Sequence, residues 1–340
     1  MSENVPDKSQ RRQLSVADYA SGIRQNDRAT LARGITLIES ARETDRQLAN
    51  QLLDDLLPGT GNSLRIGISG VPGVGKSTFI ESFGLHLIDA GHRVAVLAVD
   101  PTSSRTGGSI LGDKTRMQHL SRHDKAFVRP SPTGGELGGV ARTSRESILL
   151  CEAAGYDIVL VETVGVGQSE VVVDSMVDCF LVLMLPGAGD ELQGIKKGII
   201  EVADLLVVNK ADPDDDAKLT AARQAALLYQ RALDIITPRS EDWKPRSLTC
   251  SALHGDGISE VWQSICEFKD TVSANNELQQ RRSKQQHQWM WSQLEERLLV
   301  QFKEHAGVQQ EIEQLRNAID EGELTPSVAA DRLLAIYHGK

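Results

Sequence analysis

The sequence has few aromatic residues, no excess of basic charge, no paired-cysteine motif and no long apolar run. Phe, Trp and Tyr supply only 4% of the 340 residues, which leaves little material for a base-stacking surface. Acidic side chains outnumber basic ones by 47 to 37, for a formal charge of -10. That balance opposes nucleic-acid binding, which relies on Lys and Arg to displace counterions. Cys151, Cys179, Cys250 and Cys266 are widely spaced and form no CxxC, so neither a zinc cluster nor a disulfide scaffold is expected. They read as reduced, mostly buried thiols. The most apolar stretch, Cys179 to Leu185, is far shorter than the roughly 20 residues of a membrane span. Arg11 and Arg12 precede Gln-Leu-Ser-Val-Ala-Asp-Tyr, without the apolar run of an export signal. The expectation is a solvated N-terminal tail on a cytoplasmic protein with neither a membrane nor a nucleic-acid partner.

What remains is ordinary globular material. Apolar residues make up 40% of the chain and 29 glycines add to them, enough to bury a core. At roughly 150 residues per domain the length suggests about two domains, or one domain with additions. Residues 1 to 14 lack periodicity, and Ser15 is a plausible helix cap. Helices are expected near 16–25, 28–42 and 45–57, the third with Leu48, Leu52, Leu53 and Leu56 on one face. After Pro58, Gly59, Gly61 and Asn62 the pattern changes. Short apolar runs at Leu64–Ser69, Arg93–Val99, Ala126–Arg129, Ile158–Glu162, Cys179–Leu185, Leu205–Asn209 and Ser247–Ser251 alternate with helical stretches such as 76–90, 139–154, 215–235 and 257–273. Most of these runs are continuous rather than alternating, which predicts an α/β, doubly wound, mainly parallel sheet covered on both faces. From about residue 275 the strands stop, and helices carry Trp289, Trp291, Leu294 and Leu298, then Val308 to Ile319, then a final helix from Thr325 and Pro326. The expected organisation is a tail (1–14), a helical extension (15–59), one nucleotide domain (60–275) and a helical C-terminal arm (276–340).

Gly70-Val71-Pro72-Gly73-Val74-Gly75-Lys76-Ser77, followed by Thr78, fits G-x4-G-K-[ST] between a strand and a helix. The glycines let backbone N–H groups surround a phosphate, Lys76 supplies a cation, and Ser77 offers a hydroxyl to Mg²⁺. The helix that follows points its positive end at the same anion. Asn209-Lys210-Ala211-Asp212 fits N-K-x-D after a strand. A carboxylate there accepts from guanine N1–H and its amino group, a pairing that adenine lacks, so GTP is the expected nucleotide. Ser251-Ala252-Leu253 is similar to a second base-contacting loop. Asp100 ends a strand before a Gly/Ser/Thr stretch that runs to Gly112-Asp113-Lys114-Thr115-Arg116, and Asp157-Ile-Val-Leu-Val-Glu162-Thr-Val-Gly165 has the form of a Walker B strand. The carboxylates of the Asp100–Arg116 stretch are candidates to hold Mg²⁺ directly or through water, Glu162 lies at a strand's carboxyl end where open α/β sheets place ligands, and Gly165 lets an amide approach the γ-phosphate. Asp190-Glu191-Leu-Gln193-Gly-Ile-Lys196-Lys197 combines acids and lysines able to exchange salt bridges. His119 and His123 share i,i+4 spacing, but no HExxH glutamate or third ligand accompanies them, so a surface role is the expectation.

Val99-Asp100-Pro101, Gly107 to Arg116, Val161 to Glu170 and Asp190 to Lys197 together resemble the MeaB/ArgK/MMAA family of G3E P-loop GTPases. The resemblance implies a homodimeric GTPase that converts GTP to GDP and phosphate with Mg²⁺. It also implies a chaperone of an adenosylcobalamin-dependent acyl-CoA mutase, chiefly methylmalonyl-CoA mutase, that gates cofactor loading and protects or rescues the mutase. By position, Lys76, Asp113, Glu162 and Lys196 become catalytic candidates, and Ser77, Asp100, Asp113 and Glu162 metal candidates. Arg116, Gln193, Lys196 and Lys197 become switch residues, and the C-terminal helices a dimer arm. No D-x-H-x-x-G motif occurs, so no tightly bound cobalamin is expected on this chain. Val166 stands directly after the switch glycine and Gln168 lies further on, which implies slow intrinsic hydrolysis accelerated by a partner. Two alternatives carry other activities: an ATP-dependent kinase linked to amino-acid transport, and a metallochaperone GTPase.

Overall fold

A computed structural model of the protein describes residues 14–40, 42–99, 117–129, 137–163, 169–186 and 197–339. Among these, seven strands form one sheet: β1 (Leu64–Gly70), β2 (Val94–Val99), β3 (Ala126–Arg129), β4 (Ile158–Thr163), β5 (Cys179–Met184), β6 (Leu205–Val208) and β7 (Arg246–Thr249). Their order is β3-β2-β4-β1-β5-β6-β7, and every pairing is parallel. The parallel doubly wound sheet read from the sequence is therefore correct. Successive strand residues point to opposite faces, and both faces here are apolar. Val94, Val96, Ile158, Leu160, Leu181 and Leu183 fill one core; Ala95, Leu97, Val159, Val161, Phe180 and Val182 fill the other. Burial on two sides is why the strands read as continuous runs.

The first core is closed by α4 (Lys76–Asp89), the short α5 (Gln118–Arg122) and α10 (Ile258–Ala274). Phe79, Phe83 and Phe268 are fully buried there, each worth about 2–3 kcal/mol of transfer free energy. The opposite core takes α6 (Leu137–Ala153), α7 (Ser169–Asp174), α8 (Lys197–Val202) and α9 (Asp216–Ile235), and also α1 (Val16–Arg24), α2 (Arg28–Ile38) and α3 (Glu43–Leu56). The N-terminal helices thus share a core with the sheet rather than forming one of their own. Ser15 caps α1 through a reciprocal box, its hydroxyl accepting from the Asp18 N–H while Asp18 accepts from the Ser15 N–H. Expected to run to residue 42, α2 instead ends at Ile38. Ser40 Oγ accepts from the Arg42 N–H at 3.3 Å, a local bond that competes with helix continuation.

The chain divides into two compact units, one up to Arg282 and one from Ser283. Residues of α11 (Glu277–Glu304) fall in both. Within the second unit are α12 (Ala306–Asp320) and α13 (Pro326–Tyr337), with the Tyr337 ring packed 5.3 Å from the rings of Phe302 and His305. Thr325 caps α13 and Pro326 occupies its first turn. Among the described residues no helix is long and apolar enough to cross a membrane.

Candidate nucleotide site

The central strand β1 lies between β4 and β5, where the winding of the sheet changes direction. Open α/β sheets place ligands at such a point, beyond the carboxyl ends of the strands. There β1 runs into the loop 71–75 and then α4. Gly75, immediately before α4, has φ +93°, a left-handed conformation in which a Cβ is strained. An added Cβ would also lie 3.0 Å from Asn209 Nδ2.

Three side chains bind the loop's carbonyl oxygens. Lys76 Nζ donates to Gly70 O at 2.9 Å, Asn209 Nδ2 to Val74 O at 2.8 Å, and Lys210 Nζ to Gly73 O at 2.8 Å. Carbonyl oxygens repel phosphate, so engaging them elsewhere leaves the loop suited to an anion. The same Lys76 ammonium can pair with a phosphate oxygen, whose negative charge the neutral Gly70 carbonyl lacks. Burial lowers the Lys76 pKa, while Glu162 and Glu170 oppose that shift. Glu162 is itself buried near the carboxyl end of β4, in register with Ile68 of β1 and Ala98 of β2. Beside it, the Thr163 hydroxyl donates to Ser69 Oγ at 3.0 Å. Val71, Ser77 and Gly75 are half-buried, and Pro72, Gly73 and Thr78 are exposed.

The two candidate base-reading segments meet at the ends of β6 and β7. Buried Asn209 accepts from the Ala252 N–H at Oδ1, 3.0 Å away, so one amide joins both segments to the phosphate loop. Lys210 has φ +63°, and Ala211 N–H donates to Cys250 O at 3.0 Å. The fully buried Ser251 hydroxyl donates to Asp212 Oδ1 at 2.7 Å and accepts from the His254 N–H at 3.3 Å. Leu253 is exposed at the rim. The sequence places Asn209 among the nucleotide-binding candidates as part of N-K-x-D but does not show what it bonds; its partners lie 135 and 43 residues away, beyond any local pattern.

The site-residue candidates Asp100, Asp113, Arg116, Gly165, Gln193 and Lys196 lie outside the described residues, as does the side chain of Lys197 at the start of α8. His119 and His123 sit at α5, where the His119 N–H donates to Glu81 and His123 Nδ1 accepts from the Lys125 N–H. Among the described residues no three His, Cys, Asp or Glu side chains form a group able to hold a metal ion.

Residues 31–307 match the family model described as methylmalonyl Co-A mutase-associated GTPase MeaB. The chain belongs to the MeaB family. A putative GTPase of Caulobacter vibrioides is 56% identical over 92% of this chain and 94% of its own length. GTPase ArgK of Escherichia coli is 52% identical over 84% of this chain and 86% of its own. The mouse protein named methylmalonic aciduria type A homolog, mitochondrial, is 46% identical over 99% of this chain and 82% of its own. Among solved structures, an LAO/AO transport system kinase superposes with a TM-score of 0.77 at 41% identity, covering 97% of this chain and all of that one. Like its MeaB-family relatives, the protein is a P-loop GTPase that hydrolyses GTP.

Proposed function

We propose that this MeaB-family GTPase is a chaperone of an adenosylcobalamin-dependent acyl-CoA mutase, methylmalonyl-CoA mutase in the first instance, and that its GTP cycle gates cofactor loading and protects or reactivates the mutase. The observation that carries this reading is the match over residues 31–307 to a family named for association with that mutase. The name of the mouse relative supports it. Cobalamin stays with the mutase in this reading, and the chaperone is a cytoplasmic homodimer joined through its C-terminal helical arm, from about residue 276.

In the site, the backbone and side chains of residues 70–78 hold the phosphates, with Lys76 supplying the cation. Asp212 reads guanine, oriented by Ser251 and flanked by Lys210, Ala252 and Leu253. Hard oxygen donors suit Mg²⁺. The Ser77 hydroxyl at the first turn of α4 and the buried carboxylate of Glu162, close enough to Lys76 to influence its charge, fit such an ion, with Asp100 and Asp113 completing the set. When bound, Mg²⁺ neutralises charge on the β- and γ-phosphates. Gly165 is assigned the amide contact to the γ-phosphate, and Arg116, Gln193, Lys196 and Lys197 act as switch residues that carry nucleotide state to the mutase. The solved relative is named a transport system kinase; an ATP-dependent kinase reading would need a site that accepts adenine, and the Asp212–Ser251 pair favours guanine instead.

The test is a steady-state GTPase assay on the purified chain with and without candidate acyl-CoA mutases. A rise in turnover with methylmalonyl-CoA mutase is expected. No change with any such mutase would remove the chaperone reading while leaving the GTPase intact.

A further inference from the structure

Asp212, Asp214, Asp215 and Asp216 crowd the entry to α9, and Lys218 stands against them. Asp215 is the N-cap of α9, accepting from the Lys218 N–H at 3.1 Å, which places Lys218 in the first turn. A cation there faces the positive end of the helix dipole, a disfavoured position, and local violations of this kind concentrate where function requires them. Lys218 Nζ lies 3.3 Å from Asp215 Oδ2 and 3.7 Å from Asp212 Oδ2. The other oxygen of Asp212 is the one bonded by the Ser251 hydroxyl at 2.7 Å. Thus the two carboxylate oxygens are addressed from opposite elements, Oδ1 from the loop after β7 and Oδ2 from the first turn of α9. A single bond at Oδ1 leaves the carboxylate able to swing about that contact; a charge beside Oδ2 restrains the swing. At 3.7 Å the second contact is coulombic rather than a direct hydrogen bond, so Oδ2 keeps lone pairs to offer a base.

We propose that Lys218 is a positioning residue for guanine recognition: with Ser251 it holds the Asp212 carboxylate so that both oxygens meet the N1–H and the amino group of the base, and it thereby sets the preference for guanine over hypoxanthine nucleotides. The inference rests on Asp212 being the base reader. Its anchor is Asp215, which ties Lys218 through both backbone and side chain.

The test uses the full-length chain with Mg²⁺ and measures equilibrium Kd for GDP, IDP, XDP and ADP in wild type, Lys218→Met, Lys218→Gln, Lys218→Arg and Asp212→Asn. IDP lacks the amino group that guanine presents to the second carboxylate oxygen. The two neutral variants should weaken GDP binding about two- to fivefold, the range of a partly exposed ion pair. Their GDP-over-IDP ratio should fall, ADP affinity should not change, and Lys218→Arg should restore the ratio. An unchanged ratio, or tighter GDP binding, in both neutral variants would overturn the role of Lys218. Asp212→Asn should move preference towards XDP, because an amide donates where a carboxylate only accepts. If Asp212→Asn shifts preference and the Lys218 variants do not, only the present inference fails. If Asp212→Asn keeps GDP affinity, the base-reader assignment itself fails.

Discussion

The side-chain amide of Asn209 bridges two loops, Nδ2 donating to Val74 O at 2.8 Å and Oδ1 accepting from the Ala252 N–H at 3.0 Å. Replacing it with alanine strands a carbonyl and an N–H in the protein interior, each at a cost of about 1–3 kcal/mol. Asn209→Ala should therefore lower the melting temperature. It should also weaken GDP binding about tenfold or more, because the phosphate loop and the base-reading loops lose their shared anchor. Thermal melts and GDP titration check this; wild-type affinity would mean that the loops keep register without the bridge.

Gly75 and Gly91 allow strain to be separated from crowding. Both have positive φ, +93° and +102°, but a Cβ at Gly75 meets Asn209 Nδ2 at 3.0 Å whereas one at Gly91 meets nothing within 4 Å. Alanine at either position costs about 1–2 kcal/mol of backbone strain. Only Gly75→Ala should also push Asn209 off the loop, so GTP hydrolysis is expected to fall at least about tenfold there and to stay near wild type in Gly91→Ala. Equal loss of hydrolysis in the two variants would assign the effect to general destabilisation.

Features that depend on residues near one another in sequence were legible before the structure. The phosphate loop is one continuous string, and the central strands announce themselves because both their faces are buried. At the edge of the sheet the signal weakens. Arg246–Thr249 is partly exposed and polar, so the sequence pattern predicts the strand at 247–251, displaced towards the more apolar Cys250. The Asn209 bridge, the Lys218–Asp212 contact and the charge network beneath the sheet were not legible. Arg65 and Glu152 are 87 residues apart, and Arg282 and Asp178 are 104 apart; no periodicity connects such partners. The helical reading after residue 275 was carried by apolar spacing, and there Trp291, Leu294 and Leu298 are exposed, an arrangement that periodicity cannot distinguish from core.

That network is expected to govern stability rather than turnover. At the amino ends of the strands Asp178, with its side chain fully buried, accepts from the Arg65 N–H at 2.8 Å and from Arg282 Nε and Nη2 at 2.7 and 2.6 Å. Arg282 also donates to the carbonyls of Gly61 and Ser63. Asp178→Ala leaves the guanidinium without its counter-charge and should cost about 3–5 kcal/mol. Asp178→Ala with Arg282→Met should recover part of that loss, since removing both charges removes the unpaired one. Urea unfolding of the single and double variants measures the coupling, and GTP turnover per folded molecule should remain at wild type in both. A double variant no more stable than Asp178→Ala would show that Arg282 finds adequate partners in the two carbonyls.

The same region should make the fold acid-sensitive through Glu152. Burial raises the pKa of this carboxyl, but the Arg65 ion pair at 2.8 Å, the Ser63 hydroxyl and the Gly61 N–H outweigh it, and the net direction is below the usual 4.5. With the folded pKa depressed, the native state binds fewer protons than the unfolded chain as pH falls past the unfolded value. The stabilisation is thus fully present above about pH 4.5 and is lost as pH drops through the folded pKa. Glu152→Gln keeps the shape and removes the titration. It should be less stable than wild type at neutral pH, because Arg65 loses its counter-charge. The gap should narrow as the medium is acidified below about pH 4.5 and through the folded pKa, where wild type surrenders the same interaction. Urea midpoints across that range decide the point: a gap that stays constant with pH would mean that Glu152 contributes through packing and neutral hydrogen bonds alone.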